Sequence, residues 1–153
     1  MKSINEFSMT VDAKSINESF VRSAVAAFCT QFNPTLEEIG DIKTAVSEAV
    51  TNCIVHGYQK KQMGKILVGV KLFEDQKTVE ITIEDFGVGI NDVNKAMQTF
   101  FTTSNTDERS GMGFTVMEAF TDNLKVNSTL NEGTLVKMTK IFGYGDDEEQ
   151  NGI

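Results

Sequence analysis

Cysteine is scarce in this 153-residue chain, occurring only at Cys29 and Cys53. Two are too few for a disulfide framework, and their spacing makes no Cys-x-x-Cys metal motif. Both fall at apolar phases of predicted helices, so the expectation is two buried free thiols in a reducing compartment. Proline occurs once, at Pro34, and histidine once, at His56. No apolar run reaches the length that crosses a bilayer. The N-terminus lacks the basic flank and apolar stretch of a secretory signal. Basic charge is also short: 14 Lys and Arg face 22 Asp and Glu, for a formal net charge of -8. That balance argues against a non-specific nucleic-acid groove. It leaves nucleotide binding open, because a divalent cation arriving with the phosphates offsets the local negative potential. The absences predict a cytoplasmic protein with no membrane segment and no direct nucleic-acid partner.

What is present suits one domain with a single core, with 40% of residues hydrophobic. Residues 1–143 are expected to form it. Residues 144–153 carry Asp146, Asp147, Glu148 and Glu149 with no apolar periodicity, and are expected to be a solvated, disordered acidic tail.

Within the domain, residues 7–11 alternate, with Phe7, Met9 and Val11 on one side, and read as a strand. Residues 15–32 place Phe20, Val21, Ala24, Ala27 and Phe28 at helical spacing. Asn33-Pro34-Thr35 then breaks one helix and starts another, with Thr35 as N-cap. The second helix is predicted over 36–56, stopped by Gly57. Strands follow at Lys65–Phe73 and Thr78–Asp85, joined by a polar turn. Residues 86–110 read as a long loop, of the kind that is either a functional lid or disordered, with short helical potential near 93–100. A short helix over 113–120 and strands over 124–128 and 134–142 complete the pattern. Runs of strands beside a few helices predict an α+β, two-layer sandwich: a mixed, mainly antiparallel sheet with helices on one face.

Along Thr78–Asp85, Val79, Ile81 and Ile83 share one face, and a period of two puts Asp85 in the same row. A carboxylate there extends the core-facing side of the strand and needs a hydrogen-bond partner, since burying it alone costs several kcal/mol, roughly. Gly87 and Gly89 follow and permit close approach of a ligand. An acceptor on the floor of an apolar slot suits an exocyclic amine such as that of adenine. The plain alternative is a strand-terminal Asp in an ordinary turn. The Asp85-Phe86-Gly87 triplet is also found in the protein-kinase superfamily, but no Val-Ala-Ile-Lys strand or His-Arg-Asp loop accompanies it.

On the second helix, Ile39, Ile42, Val46, Val50 and Cys53 form an apolar stripe. Glu48 and Asn52 lie opposite it, one turn apart, able to address the same point. Glu48 is suited to accept a proton from a hydroxyl or water, and the Asn52 carbonyl oxygen to ligate Mg²⁺ without adding charge. A solvated helix face is the plain alternative. Further on, Gly111-Met112-Gly113-Phe114 opens a helix, where free N–H groups and the helix dipole suit phosphate. Arg109 just before it is placed to stabilise charge on a terminal phosphate. A flexible turn and a solvated cation are the plain alternatives. The order of all three elements makes their chance coincidence hard to sustain.

These residues resemble the gyrase, Hsp90, histidine-kinase and MutL ATPases, which share the Bergerat ATP-binding fold. Residues 47–52 look like the N-box of that superfamily, residues 85–89 its first glycine box and residues 111–114 its second. Residues 18–22, 47–58, 101–103 and 108–114 look more narrowly like the anti-sigma F factors of spore-forming bacteria. The likeness spans roughly residues 5–142.

The resemblance implies a serine kinase that inhibits a sporulation sigma factor and phosphorylates a serine on an anti-anti-sigma antagonist. It implies ATP and Mg²⁺ as cofactors, and a homodimer. It makes Glu48 the general base, Asn52 the Mg²⁺ ligand and Asp85 the adenine acceptor, with Thr134 nearby through water. The glycines, Met112 and Phe114 would shape the phosphate loop, Arg109 would touch the γ-phosphate, and Glu18 and Arg22 would meet protein partners. Phe86 departs from the small or charged residue usual at its place. Two further readings share these motifs: a paralogous stress-response anti-sigma kinase, and a nucleotide-switched sigma-binding module with little catalysis. A sensor histidine kinase is not expected, because the only histidine, His56, sits where it would contact helix-terminal carbonyls.

Overall fold

Alternation of apolar and polar residues organises the centre of the fold, a computed structural model that describes residues 2–61, 63–98 and 113–143. The strands are β1 (Asn5–Asp12), β2 (Lys65–Phe73), β3 (Thr78–Asp85), β4 (Asn123–Thr129) and β5 (Gly133–Ile141). The helices are α1 (Ile16–Cys29), α2 (Leu36–Asn52), α3 (Val93–Ala96) and α4 (Gly113–Ala119). The strands form one sheet in the order β1-β2-β3-β5-β4.

Every pairing in that sheet is antiparallel, which corrects the mixed sheet expected above. The reason is β5. It lies between β3 and β4 and runs against both, so β3 and β4, which run the same way, are not neighbours.

One face of the sheet is apolar. Ile66, Val68, Val70 and Leu72 of β2, Val79, Ile81 and Ile83 of β3, and Val136 and Met138 of β5 are buried on it. Helices α1, α2 and α4 supply the second layer through Val21 and Val25, Ile42, Val46 and Val50, and Phe114 and Met117. Each such side chain contributes about 1.5–3 kcal/mol on burial. Phe7 meets Phe28 edge-on at 4.7 Å between ring centres, which ties β1 to α1. The opposite face is polar, with cross-strand neighbours Glu6, Lys71, Glu80 and Thr139 in one row. Lys137 pairs there with Glu80 at 3.6 Å.

The first helical stretch ends sooner than its apolar spacing suggests. After Cys29 it tightens into a 3-10 turn over Thr30–Phe32, and Asn33 closes it in the left-handed region at φ 51°. Thr35 then caps α2 as expected. Its hydroxyl accepts from Glu38 N–H at 3.1 Å, and the Glu38 carboxylate accepts from Thr35 N–H at 2.9 Å. Such a cap contributes about 1 kcal/mol.

At its other end α2 stops at Asn52 rather than running to residue 56. Cys53–Gly57 form a wider π turn, closed by the Tyr58 N–H donating to the Cys53 carbonyl at 2.8 Å. Turns of this kind tend to mark functional sites. Both cysteines are buried free thiols. Burial pushes the Cys29 thiol up to about 12. Among the described residues no helix is long and apolar enough to cross a membrane.

Candidate functional site

Asp85 ends β3 in the core-facing row, only 4% exposed. Across the sheet that row reads Val11, Ile66, Asp85, Thr134, Ser128, apolar at the β1 side and polar at the β4 side. The carboxylate is not left unsatisfied. Gly87 N–H donates to its Oδ1 at 2.9 Å. Burial raises its pKa above the usual carboxylate value, and hydrogen bonds from the Gly87 N–H, the Cys53 thiol and the Thr134 N–H partly oppose that rise. Beside it, the Ser128 and Thr134 hydroxyls lie 2.7 Å apart, and Ser128 Oγ accepts the Ile90 N–H at 2.7 Å.

The loop after Asp85 is held against the π turn. Val88 N–H donates to the Gly57 carbonyl at 2.9 Å. A Cβ at Gly87 would lie 1.9 Å from that same oxygen, and a Cβ at Gly57 would lie 2.7 Å from Asp85 Cγ. Neither approach tolerates a side chain. Gly89 adopts φ +73°, the left-handed region that favours glycine.

A cavity of about 790 Å³ opens over this floor. Ligand pockets for small molecules run to about 300–1,000 Å³. Asn52, Asp85, Gly89, Phe114 and Thr134, five of the residues singled out from the sequence, line it. Gly113 lies beside it against the Asn52 amide. Glu48 is half-buried on α2, one turn before Asn52, and is not among the residues that line the cavity. Glu18 and Arg22 stand apart from the cavity and pair with each other on α1, at 2.8 and 2.9 Å. Arg109, Gly111 and Met112 lie outside the described residues.

Among the described residues, Cys53, Gly57 and Ser128 around this floor are ones that sequence reasoning misses. The apolar stripe marks Cys53 only as core, although it lines the cavity and bonds Asp85. Gly57 stands out only as a helix stop. Ser128 carries no motif, and its only signal is its phase in the β4 alternation. Among the described residues no group of three or more His, Cys, Asp or Glu is placed to hold a metal ion. Asn52 brings to the cavity wall an uncharged amide oxygen of the kind that divalent ions accept as a ligand.

A polar-floored cavity between a helix and the end of a sheet strand is set within a chain whose relatives are recognisable by sequence. The model of the histidine kinase-like ATPase domain matches residues 11–140. An anti-sigma F factor from Thermoanaerobacter sp. (strain X514) is 53% identical over 94% of this chain and 98% of its own length. One from Caldanaerobacter subterraneus subsp. tengcongensis is 56% identical over 86% and 90%. One from Priestia megaterium is 48% identical over 89% and 92%.

The chain belongs to the anti-sigma F factor family.

Its membership carries a kinase-like ATPase domain, a class that binds nucleotide. Solved structures agree on the fold. The crystal structure of the RsbU and RsbW domains of a Mycobacterium tuberculosis protein superposes with TM-score 0.64 at 20% identity, over 90% of this anti-sigma F family chain and 32% of that one. A blue-light activated histidine kinase from Erythrobacter litoralis gives TM-score 0.59 at 16% identity, over 85% and 43%.

Proposed function

We propose that this chain is an ATP-dependent serine kinase and anti-sigma factor. It binds and inhibits a sporulation sigma factor, and it phosphorylates a serine of the anti-anti-sigma antagonist. The observation that carries this reading is the buried Asp85 carboxylate on the floor of a cavity of about 790 Å³, with Asn52 in its wall. Residues 1–143 act as the kinase and anti-sigma domain, followed by the acidic stretch 144–153. The protein works in the cytoplasm as a homodimer.

ATP bound with Mg²⁺ supplies the transferable γ-phosphoryl group. The chain's own residues do the rest. Asp85 accepts a hydrogen bond from the exocyclic amine of adenine, steadied by the Thr134 side of the floor. Asn52 offers an uncharged oxygen to Mg²⁺. Glu48 takes the proton of the acceptor serine as general base. Gly87, Gly89, Gly111 and Gly113 let the backbone approach the phosphates, with Met112 and Phe114 beside them. Arg109 neutralises charge on the γ-phosphate. Glu18 and Arg22 meet the protein partners, and the pair between them leaves Nη2 and Nε of Arg22 able to donate to a partner.

Transfer of labelled γ-phosphate to a candidate antagonist tests the enzyme reading. Glu48→Ala is expected to lower the transfer rate by about 10²–10⁴-fold while ATP still binds. Unchanged transfer removes Glu48 from the chemistry. The alternative reading is a nucleotide-switched sigma-binding module with little catalysis. On that reading sigma affinity differs between ATP, ADP and no nucleotide while the antagonist gains no label.

A further inference from the structure

Tyr58 follows the π turn, and its hydroxyl occupies a place that a backbone hydrogen bond would otherwise fill. Past the Ile66–Asp85 pair, the next two residues of the β2–β3 ladder are Lys65 and Phe86. The Tyr58 hydroxyl stands between them. It donates to the Lys65 carbonyl at 2.6 Å and accepts from the Phe86 N–H at 2.8 Å. The two backbone groups that an antiparallel ladder would join are thus bridged by a phenol, and the strands part there.

The rest of the neighbourhood is built around that ring. Gly64 sits at φ +99°, and a Cβ there would lie 2.5 Å from the ring's Cε1. Burial raises the hydroxyl's pKa above the ordinary tyrosine value, so it keeps the proton it donates. At the other end of the residue, the Tyr58 N–H closes the π turn onto the Cys53 carbonyl. One residue therefore joins the end of α2, the start of β2 and the exit of β3.

The exit of β3 sets the aim of Asp85. With Phe86 released from the ladder, the chain turns so that Gly87 N–H reaches Asp85 Oδ1 and Val88 N–H reaches the Gly57 carbonyl. Tyr58 itself does not line the cavity. We propose that Tyr58 is a positioning residue for purine recognition: its hydroxyl, wedged between Lys65 and Phe86, fixes the backbone that directs the Asp85 carboxylate into the cavity. It thereby sets the discrimination between an amino and an oxo group on the purine. This inference rests on the cavity being an adenine-nucleotide site.

The experiment is calorimetry on the full chain with ATP and with ITP, its 6-oxo counterpart, for the wild type and Tyr58→Phe. If the wild type does not prefer ATP, the adenine reading itself fails, and the proposal with it. If it does, Tyr58→Phe is expected to reduce the ATP-over-ITP preference by about tenfold, the scale of one lost hydrogen bond. A purely structural role weakens both nucleotides equally and leaves the ratio intact. That result overturns the proposal. Should Tyr58→Phe fold poorly, Gly64→Ala displaces the ring while keeping the hydroxyl. The same loss of preference in that variant supports the proposal, and an unchanged ratio in it overturns the proposal.

Discussion

Gly113 stands so close to Asn52 that a Cβ at position 113 would lie 2.9 Å from both Nδ2 and Oδ1 of the amide. The first turn of α4 is therefore packed on the side chain proposed to ligate magnesium, and the absence of a side chain at 113 keeps that amide in place.

Gly113→Ala should move Asn52 rather than unfold the protein, because the obstructed atoms are the far end of a flexible side chain. The expected result is a near-normal melting temperature with nucleotide affinity about tenfold weaker in the presence of magnesium. Calorimetry with and without the metal checks it. A loss of the same size in both conditions would detach Asn52 from the metal.

Asp85→Asn separates recognition from stability. Burial raises the folded-state pKa of Asp85 above its ordinary value of 3.8. The folded protein therefore binds this proton more tightly than the unfolded chain does. Between the two pKa values stability increases as pH falls, and this contribution is lost as pH rises through the folded-state value. The amide variant carries no such titration. It is expected to be at least as stable as the wild type at neutral pH, while ATP affinity drops. Wild-type affinity should decline on the acid side as Asp85 gains its proton, and the affinity of the variant should not follow. Chemical denaturation and calorimetry across that range read both effects.

Two glycines should respond to alanine in opposite directions. Gly40 is exposed within α2, and a Cβ added there would meet nothing within 4 Å. Gly40→Ala should stabilise the protein by about 0.5–1 kcal/mol through helix propensity. At Gly87 the added carbon would meet the Gly57 carbonyl at 1.9 Å, backbone against backbone. Gly87→Ala should lower the melting temperature and weaken nucleotide binding together. Thermal unfolding of the two variants side by side gives the comparison.

The strands are legible in the sequence because their signal is local. Alternation over Lys65–Phe73 and Thr78–Asp85 returns both strands with the observed bounds, and it puts Asp85 in the buried row. The Thr35 cap is legible for the same reason, since its partner Glu38 is three residues away. The π turn is not. Cys53–Gly57 have the apolar spacing of an ordinary helix end, and what accompanies the change of hydrogen bonding is a contact between Gly57 and Val88, thirty-one positions later. Tyr58 is invisible on similar grounds, because its hydroxyl joins Lys65 to Phe86. The all-antiparallel pairing depends on β5 inserting between β3 and β4, a choice of topology that no single segment encodes.

The cross-strand pairing of Asp85 with Thr134 has a kinetic consequence. Nearly fifty residues separate the two in the chain, so the floor they share closes only when the last hairpin docks on the rest of the sheet. Loop-closure entropy makes such distant contacts late to form. A ligand resting on that floor would hold together two segments that are distant in the chain and meet late. It should slow unfolding much more than it hastens folding, giving the occupied protein a longer native lifetime from an almost unchanged folding rate.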